Sequence, residues 1–152
     1  MPDHLIFSMG KYQAPVPTDR LYARNHMWFR EIEEDIYRVG LSAYAVRLLQ
    51  DVYFLDWGIE PGTTVRAKQE IGEIESSKAV SDIYSPADGT LLRLNNELMK
   101  DPTPINVDCY GSGWLFEFVP NGTDLMSADE YLKYLGGTWG DAQRHIKGQI
   151  ND

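Results

Sequence analysis

Between residues 51 and 94 the chain alternates short strand-forming segments with tight turns, and this spacing constrains its fold more than any other feature. Apolar and β-branched residues predict strands over 51–56, 64–66, 70–76, 79–84 and 89–94. Proline and glycine at Pro61 and Gly62 mark one of the turns. Short strands this closely spaced are typical of a β-sandwich or barrel. A length of 152 residues, 43% of them apolar, fits one domain with one core.

Weaker signals precede this region. Alternating residues over 28–32 and 36–41, around a charged turn, predict a hairpin. Ser42 is placed to cap a short helix over 43–50. Residues 1–24 offer no sustained period of 2 or 3.6, and we interpret them as an N-terminal arm laid on the core.

Helical signals follow this region. Ser127 and Glu130 form a capping box with Met126 and Tyr131 as the apolar staple, and the helix is predicted to end at the glycine pair 136–137. A second helix is predicted over 139–149. Its apolar side would contain Trp139, Ala142, His145 and Ile146. The expected organisation is therefore the arm 1–24, a domain over 25–136 and a helical extension over 137–152.

Two similar turn-and-strand units, 60–65 and 87–92, lie on either side of Lys78. They predict two antiparallel sheets related by a quasi-twofold, with the lysine near the axis. Strands 70–76 and 79–84 meet at Ser77 and Lys78, which displays the lysine amine at a tight turn. An exposed amine on a rigid hairpin is reachable for acylation by a modifying ligase. A lysine at a turn is, however, most often only solvated.

The net charge of −9 restricts the kinds of partner. Nucleic-acid binding needs clustered lysine and arginine, so no such partner is expected. No basic region precedes an apolar run at the start, and no stretch of about 20 apolar residues occurs, so we expect a cytoplasmic protein without a membrane segment. His4, His26 and His145 lack metal-ligand spacing, which predicts no metal site. The single Cys109 cannot form an internal disulfide and is predicted to be a small buried filler.

The segment around Lys78 has a specific pattern. Glu75-Ser76-Ser77-Lys78-Ala79 is followed by Ser81-Asp82, Tyr84-Ser85-Pro86 and Gly89. This pattern resembles the lipoylation site of the glycine cleavage H-protein family, and the likeness extends over about residues 22 to 135, including Tyr110-Gly111-Ser112-Gly113-Trp114. The resemblance implies a mostly β, lipoyl/biotinyl-type barrel-sandwich hybrid with a short helix after the first hairpin. Biotin carriers have methionines on both sides of the acceptor lysine, where this chain has Ser77 and Ala79.

The resemblance also implies the site. Lipoate would be joined covalently to Lys78 by a lipoate ligase or lipoyl transferase, with Glu75, Ser76, Ser77 and Ala79 as the attachment motif. His26, Met27 and Trp28 would line a cleft that shelters the loaded arm. The chain would be a carrier and not an enzyme, and dihydrolipoamide dehydrogenase would reoxidise its arm.

One departure from the family falls in that cleft. The family has a glutamate between the histidine and the tryptophan, where it holds the cationic amino group of the loaded arm, but this chain has Met27. Losing a hydrogen bond to a charged group costs on the order of 1.5–3 kcal/mol. Glu31 or Asp35 can replace it only if the fold brings one of them close. At residues 49–51 this chain has Leu-Gln-Asp where the family has Leu-Gly-Asp, and it has Cys109 where the family has a proline.

These departures leave three functions open. We lean towards a lipoate-binding carrier of sulfur for a heterodisulfide-reductase-like complex in sulfur oxidation, because a thioether at Met27 suits a sulfur-laden arm better than an ammonium. The first alternative is the aminomethyl carrier of the glycine cleavage system, with glycine decarboxylase and an aminomethyltransferase as partners. The second is an unmodified interaction module or lipoyl relay.

Overall fold

The computed structural model describes residues 3–122 and 124–151, with side chains described as far as residue 139. These residues contain eleven strands and four helices. The strands are β1 His4–Met9, β2 Tyr12–Pro17, β3 Leu21–Tyr22, β4 Met27–Glu33, β5 Ile36–Leu41, β6 Val52–Trp57, β7 Thr63–Val65, β8 Glu70–Ser76, β9 Val80–Tyr84, β10 Gly89–Leu94 and β11 Phe116–Pro120. The helices are α1 Ala43–Leu49, α2 Glu97–Lys100, α3 Thr103–Val107 and α4 Ala128–Asn151. Within the described residues no helix is both long and apolar enough to cross a membrane.

Two antiparallel sheets enclose the main core. The six-stranded sheet has the order β3-β4-β5-β11-β10-β7, and the three-stranded sheet has the order β6-β8-β9. Phe29, Phe116 and Phe118 from the first sheet pack with Leu55 and Ile74 from the second, and all five are buried. Because each strand alternates between a core face and an outer face, two sheets suffice to bury this apolar set. The predicted mostly β, two-sheet architecture is confirmed.

The two similar units found in the sequence pair with each other through β7 and β10. Thr64 lies opposite Thr90, with their hydroxyl oxygens 3.4 Å apart. The flanking pairs, Gly89 with Val65 and Leu91 with Thr63, lie symmetrically about this position. Antiparallel pairing of this kind relates the two strands by a local two-fold. The placement of Lys78 near that axis stays a prediction.

The first residues form a hairpin, although the sequence shows no strand period there. Strands β1 and β2 pair along their full lengths, and Gly10, at φ +64°, lies in the turn between them. The two prolines of β2 hid the strand signal, but proline is tolerated where a strand has a free edge. Met9, Ala14 and Val16 point inward and join a second buried cluster, which attaches the hairpin to the domain.

Helix α4 begins as predicted. The backbone N–H of Ser127 donates to Oε1 of Glu130 at 3.0 Å, and the N–H of Glu130 donates to the Ser127 hydroxyl at 3.2 Å. This is the reciprocal capping box, which satisfies two backbone donors that the helix leaves free. Met126 and Tyr131 are both buried beside it, as the apolar staple requires.

The end of α4 was predicted wrongly. The helix continues through Gly136 and Gly137 to Asn151, so the two helices expected in this region are one. Glycine inside a helix costs only about 1 kcal/mol relative to alanine, which the neighbouring residues offset. Trp139 packs edge-on against Phe7 of the hairpin at a centroid distance of 6.5 Å. The predicted helix face of Ala142, His145 and Ile146 lies outside the residues whose side chains are described.

Candidate functional site

Lys78 lies at the tip of the β8–β9 hairpin with its side chain exposed to solvent. The buried hydroxyl of Ser76 accepts hydrogen bonds from the backbone N–H groups of Lys78 and Ala79, each at 3.3 Å. The backbone N–H of Ser76 donates to the Ala79 carbonyl at 2.9 Å and closes the turn. One small side chain thus holds the backbone of the lysine, while the amine itself is free in water.

The hairpin tip is also attached to the end of α1. Both the backbone N–H and the hydroxyl of Ser77 donate to the Gln50 carbonyl, at 3.3 and 3.4 Å. Gln50 has φ +54° and ψ +138°, a backbone conformation in which a side chain is strained. With these angles the chain leaves the helix at Gln50, and the Gln50 carbonyl lies within hydrogen-bonding distance of Ser77 at the hairpin tip.

We expect Gln50→Gly to raise the free energy of unfolding by about 1 kcal/mol, because glycine adopts a positive φ without the clash of a β-carbon. Urea unfolding at neutral pH measures the change. Gln13→Gly is the matched control: Gln13 lies exposed in β2, where glycine should lower the free energy of unfolding by roughly 0.5–1 kcal/mol. A loss of stability in both variants would contradict the strain at Gln50.

A cavity of about 230 Å³ opens beside the hairpin. Its wall is mainly apolar, with the C-terminal half of α1 on one side and β9 on the other. The lining residues are Asn25, His26, Met27, Leu41, Ala45, Leu48, Leu49, Ile74, Ser81, Asp82, Ile83, Tyr84 and Leu115. Among these, Asp82 is the one acidic residue. The cavity can therefore shelter an apolar chain attached nearby, and Asp82, whose exposed carboxylate accepts a hydrogen bond from the Tyr84 hydroxyl at 3.3 Å, lies at its rim.

The three residues predicted to line a cleft do not lie together. His26 and Met27 line the cavity, and Met27 is only 2% exposed. Trp28 is on the opposite face of β4, fully buried, and its Nε1–H donates to the Cys109 carbonyl at 2.9 Å. The tryptophan therefore supports the fold beneath the site and does not face the cavity.

The structure also shows whether Glu31 or Asp35 can replace the glutamate that the family has at the position of Met27. Glu31 accepts a hydrogen bond from the backbone N–H of Asp35 at the β4–β5 turn, 3.2 Å away, and neither residue lines the cavity. Asp82 does line it. The sequence indicated Asp82 only as part of the wider pattern that resembles the family's lipoylation site, four positions after Lys78 on the next strand, and gave no sign that it lies beside the cavity.

His26 links the cavity to the buried start of α4. Its Nδ1 lies 2.9 Å from the Tyr131 hydroxyl, which is 2.8 Å from the Ser42 hydroxyl at the N-cap of α1. Burial lowers the pKa of His26 from 6.5 to about 4, because the protonated ring loses its hydration there. The imidazole at the cavity is therefore neutral at physiological pH.

This shift predicts a loss of stability in acid. The pKa of His26 is lower in the folded chain, so the unfolded chain takes up the proton first as the pH falls. The free energy of unfolding should fall from about pH 6.5 and level off near pH 4, by up to about 3 kcal/mol from this group. Urea unfolding at pH 7.5 and 4.5 measures it. His26→Asn, which suits the positive φ of this position, should lose less stability over that interval; an equal loss would contradict the assignment.

Cys109 is only partly buried, and like Tyr110 and Trp114 it packs against the second cluster. Burial of its thiol raises the pKa to about 12, so the thiolate is scarce at neutral pH.

Comparison with known proteins places these features in one family. The family model for the glycine cleavage H-protein matches residues 20–137. The glycine cleavage system H protein of Rubrobacter xylanophilus is 42% identical over 123 residues, which is 80% of this chain and 96% of that protein. The protein of the same name from Mycobacterium tuberculosis is 37% identical over 122 residues, covering 80% and 90%.

A solved structure agrees. The crystal structure of a glycine cleavage system H protein from Mycobacterium marinum superposes with a TM-score of 0.69 at 35% identity, covering 81% of this chain and 98% of that one. The β1–β2 hairpin and the distal part of α4 lie outside the family match. The match includes the lysine hairpin, the cavity and the start of α4, and on this evidence the chain belongs to the glycine cleavage H-protein family of lipoyl carriers.

Proposed function

We propose that this chain presents a lipoyl group on Lys78 and carries an aminomethyl group from glycine decarboxylase to an aminomethyltransferase. The observation that supports this function most directly is the position of Lys78: an exposed amine on a hairpin tip fixed by Ser76 and Gln50, with an apolar cavity lined by the strand that follows it. Relatives at 36–42% identity are named glycine cleavage system H protein, which supports this function better than the sulfur carriage towards which the sequence leaned.

The residues at the site fit a lipoyl group. A lipoyl group supplies a dithiolane that opens to thiols and accepts a transferred group on sulfur. The backbone of Lys78 is fixed, so the flexible part begins at the lysine side chain. Leu48, Leu49 and Ile83 give the cavity apolar walls, which exclude water from an arm that lies against them.

A cationic cargo at the rim of this cavity can pair with Asp82. The carboxylate is exposed, so such an ion pair contributes about 0.2–1 kcal/mol. His26 stays neutral beside it and so does not repel a cation. Asp82 thereby takes the part that the missing glutamate at Met27 leaves open.

Sulfur carriage remains the second candidate because of one observation: the wall is mainly apolar and includes the Met27 thioether. An arm that bears neutral sulfur would need no carboxylate. The two candidates differ in the cargo alone, so one loading experiment separates them.

The experiment incubates the lipoylated chain with glycine decarboxylase and labelled glycine and follows both the label bound and its rate of release. The wild type should take up label. Asp82→Asn should release it about two- to fivefold faster, because the exposed ion pair is lost. Met27→Glu should slow the release, with Met99→Glu on an exposed helix position as the matched control. A wild type that takes up no label, beside a relative's carrier that does, would exclude the aminomethyl function.

A further inference from the structure

The outer face of the three-stranded sheet exposes apolar side chains next to the lysine. Tyr53, Phe54 and Val80 are 59%, 43% and 64% exposed. Phe54 on β6 is paired with Glu75 on β8, and Glu75 is paired with Val80 on β9. Phe54 and Val80 therefore lie in one row across the sheet, on either side of Glu75. Val80 follows Lys78 by two positions, which at about 3.3 Å per residue places the row within roughly 10 Å of the hairpin tip.

The next row on this face consists of like charges. Asp56 is paired with Glu73, and Glu73 with Asp82, so three carboxylates lie side by side across the sheet. Directly opposed like charges destabilise a sheet. Among the described residues none of the three has a lysine or arginine within salt-bridge distance. The fold therefore keeps three like charges in one row, although neutral residues at these positions would make the sheet more stable.

The whole face has one sign of charge. Strands β6, β8 and β9 contain five acidic residues and no lysine or arginine; the five are Asp56, Glu70, Glu73, Glu75 and Asp82. The exposed apolar side chains therefore lie among charges of a single sign, and such a surface steers a partner of opposite charge and repels others. The same charge disfavours nucleic acid and anionic membranes.

We propose that this sheet face is the docking surface for the enzyme that loads the arm, and that this enzyme meets its carboxylates with basic side chains and Phe54 and Val80 with apolar ones. The inference rests on the proposed function. An enzyme bound to Phe54 and Val80 has Lys78 at the edge of its contact, so the arm reaches its active site while the carboxylates pair with the basic side chains of the enzyme. The acidic row then lowers the stability of the free carrier and favours the complex.

The test uses the lipoylated chain and glycine decarboxylase. Asp56→Asn with Glu73→Gln removes two charges from the row. Glu33→Gln with Glu34→Gln removes two exposed charges from the β4–β5 turn and is the matched control. At low salt the Asp56→Asn, Glu73→Gln variant should have a KM for the carrier about tenfold above that of the wild type, with kcat changed less than about twofold. Added salt should narrow this difference in KM. The control pair should stay within about twofold of wild type.

Two further measurements separate docking from folding and from the proposed function. The Asp56→Asn, Glu73→Gln variant should melt at a higher temperature than wild type, because the repulsion is relieved, so a raised KM cannot come from unfolding. Direct binding of the unmodified chain to the decarboxylase should weaken in the same variant even if no cargo is ever transferred. The inference is overturned if the Asp56→Asn, Glu73→Gln variant has the same KM and affinity as the control pair. It is also overturned if that variant is slowed only in lipoyl attachment.

Discussion

Replacing Lys78 with arginine is expected to abolish lipoylation and all carrier activity while the fold stays intact. The guanidinium group stays protonated at any physiological pH and is not an acyl acceptor as the lysine amine is. Lys78 is exposed, and among the described side chains its ammonium takes no part in a hydrogen bond or salt bridge. The free energy of unfolding should therefore change by less than about 0.5 kcal/mol.

Intact and peptide mass spectrometry after incubation with lipoate and a lipoate ligase measures this outcome. The wild type should show one lipoyl increment, on the peptide that contains Lys78. Lys68→Arg, at another exposed turn lysine, should be modified as the wild type is. An increment on Lys78→Arg, or none on the wild type, would turn the interpretation towards an unmodified interaction module.

Gly40→Ala is expected to lower the free energy of unfolding by roughly 3 kcal/mol. A β-carbon on Gly40 would lie 2.6 Å from Cζ2 of Trp28, its partner across β4 and β5. The ring has no room to withdraw, since Trp28 is 1% exposed and the Arg20 guanidinium lies 4.8 Å from its centroid. Displacing it would also break the hydrogen bond to Cys109.

Urea unfolding with a tryptophan-fluorescence readout measures the loss. Gly137→Ala is the matched control, because a β-carbon there meets nothing within 4 Å and the residue lies inside α4. That variant should gain about 0.5–1 kcal/mol, since alanine has the higher helix propensity. Similar changes in the two variants would show that Trp28 does not limit the space at Gly40.

The features that the sequence predicted correctly depend on short-range physics. The N-cap at Ser42 and the capping box at Ser127 need only residues within one helical turn, and both form as predicted. The strand spacing around Lys78 is likewise local, and β8 and β10 have the predicted bounds.

The features that it missed depend on distant contacts. Strand β11 lies between β5 and β10, and no local signal specifies that position. The β1–β2 hairpin is held by the second core cluster, and α4 runs through a glycine pair that by itself indicates a stop. These outcomes follow from packing that a local pattern does not contain.

For one part of the predicted site the sequence itself contained a contrary signal. Met27 and Trp28 are neighbours on a strand, so their side chains point to opposite faces, and they join different core clusters. Asp82 is the opposite case. Its place on the cavity depends on how β9 packs beside α1, which only the structure reveals.

The fixed backbone at Ser76 sets how the arm can be shared. Because the hairpin tip is held by hydrogen bonds, the reactive end of an arm on Lys78 stays within one arm length of a nearly stationary point. Under the proposed function, two large enzymes could not both bring an active site into that volume, so they would bind the carrier alternately. The rate of the cycle would then depend on how quickly the whole carrier dissociates from each enzyme, and a longer residence time at either one would slow transfer between them.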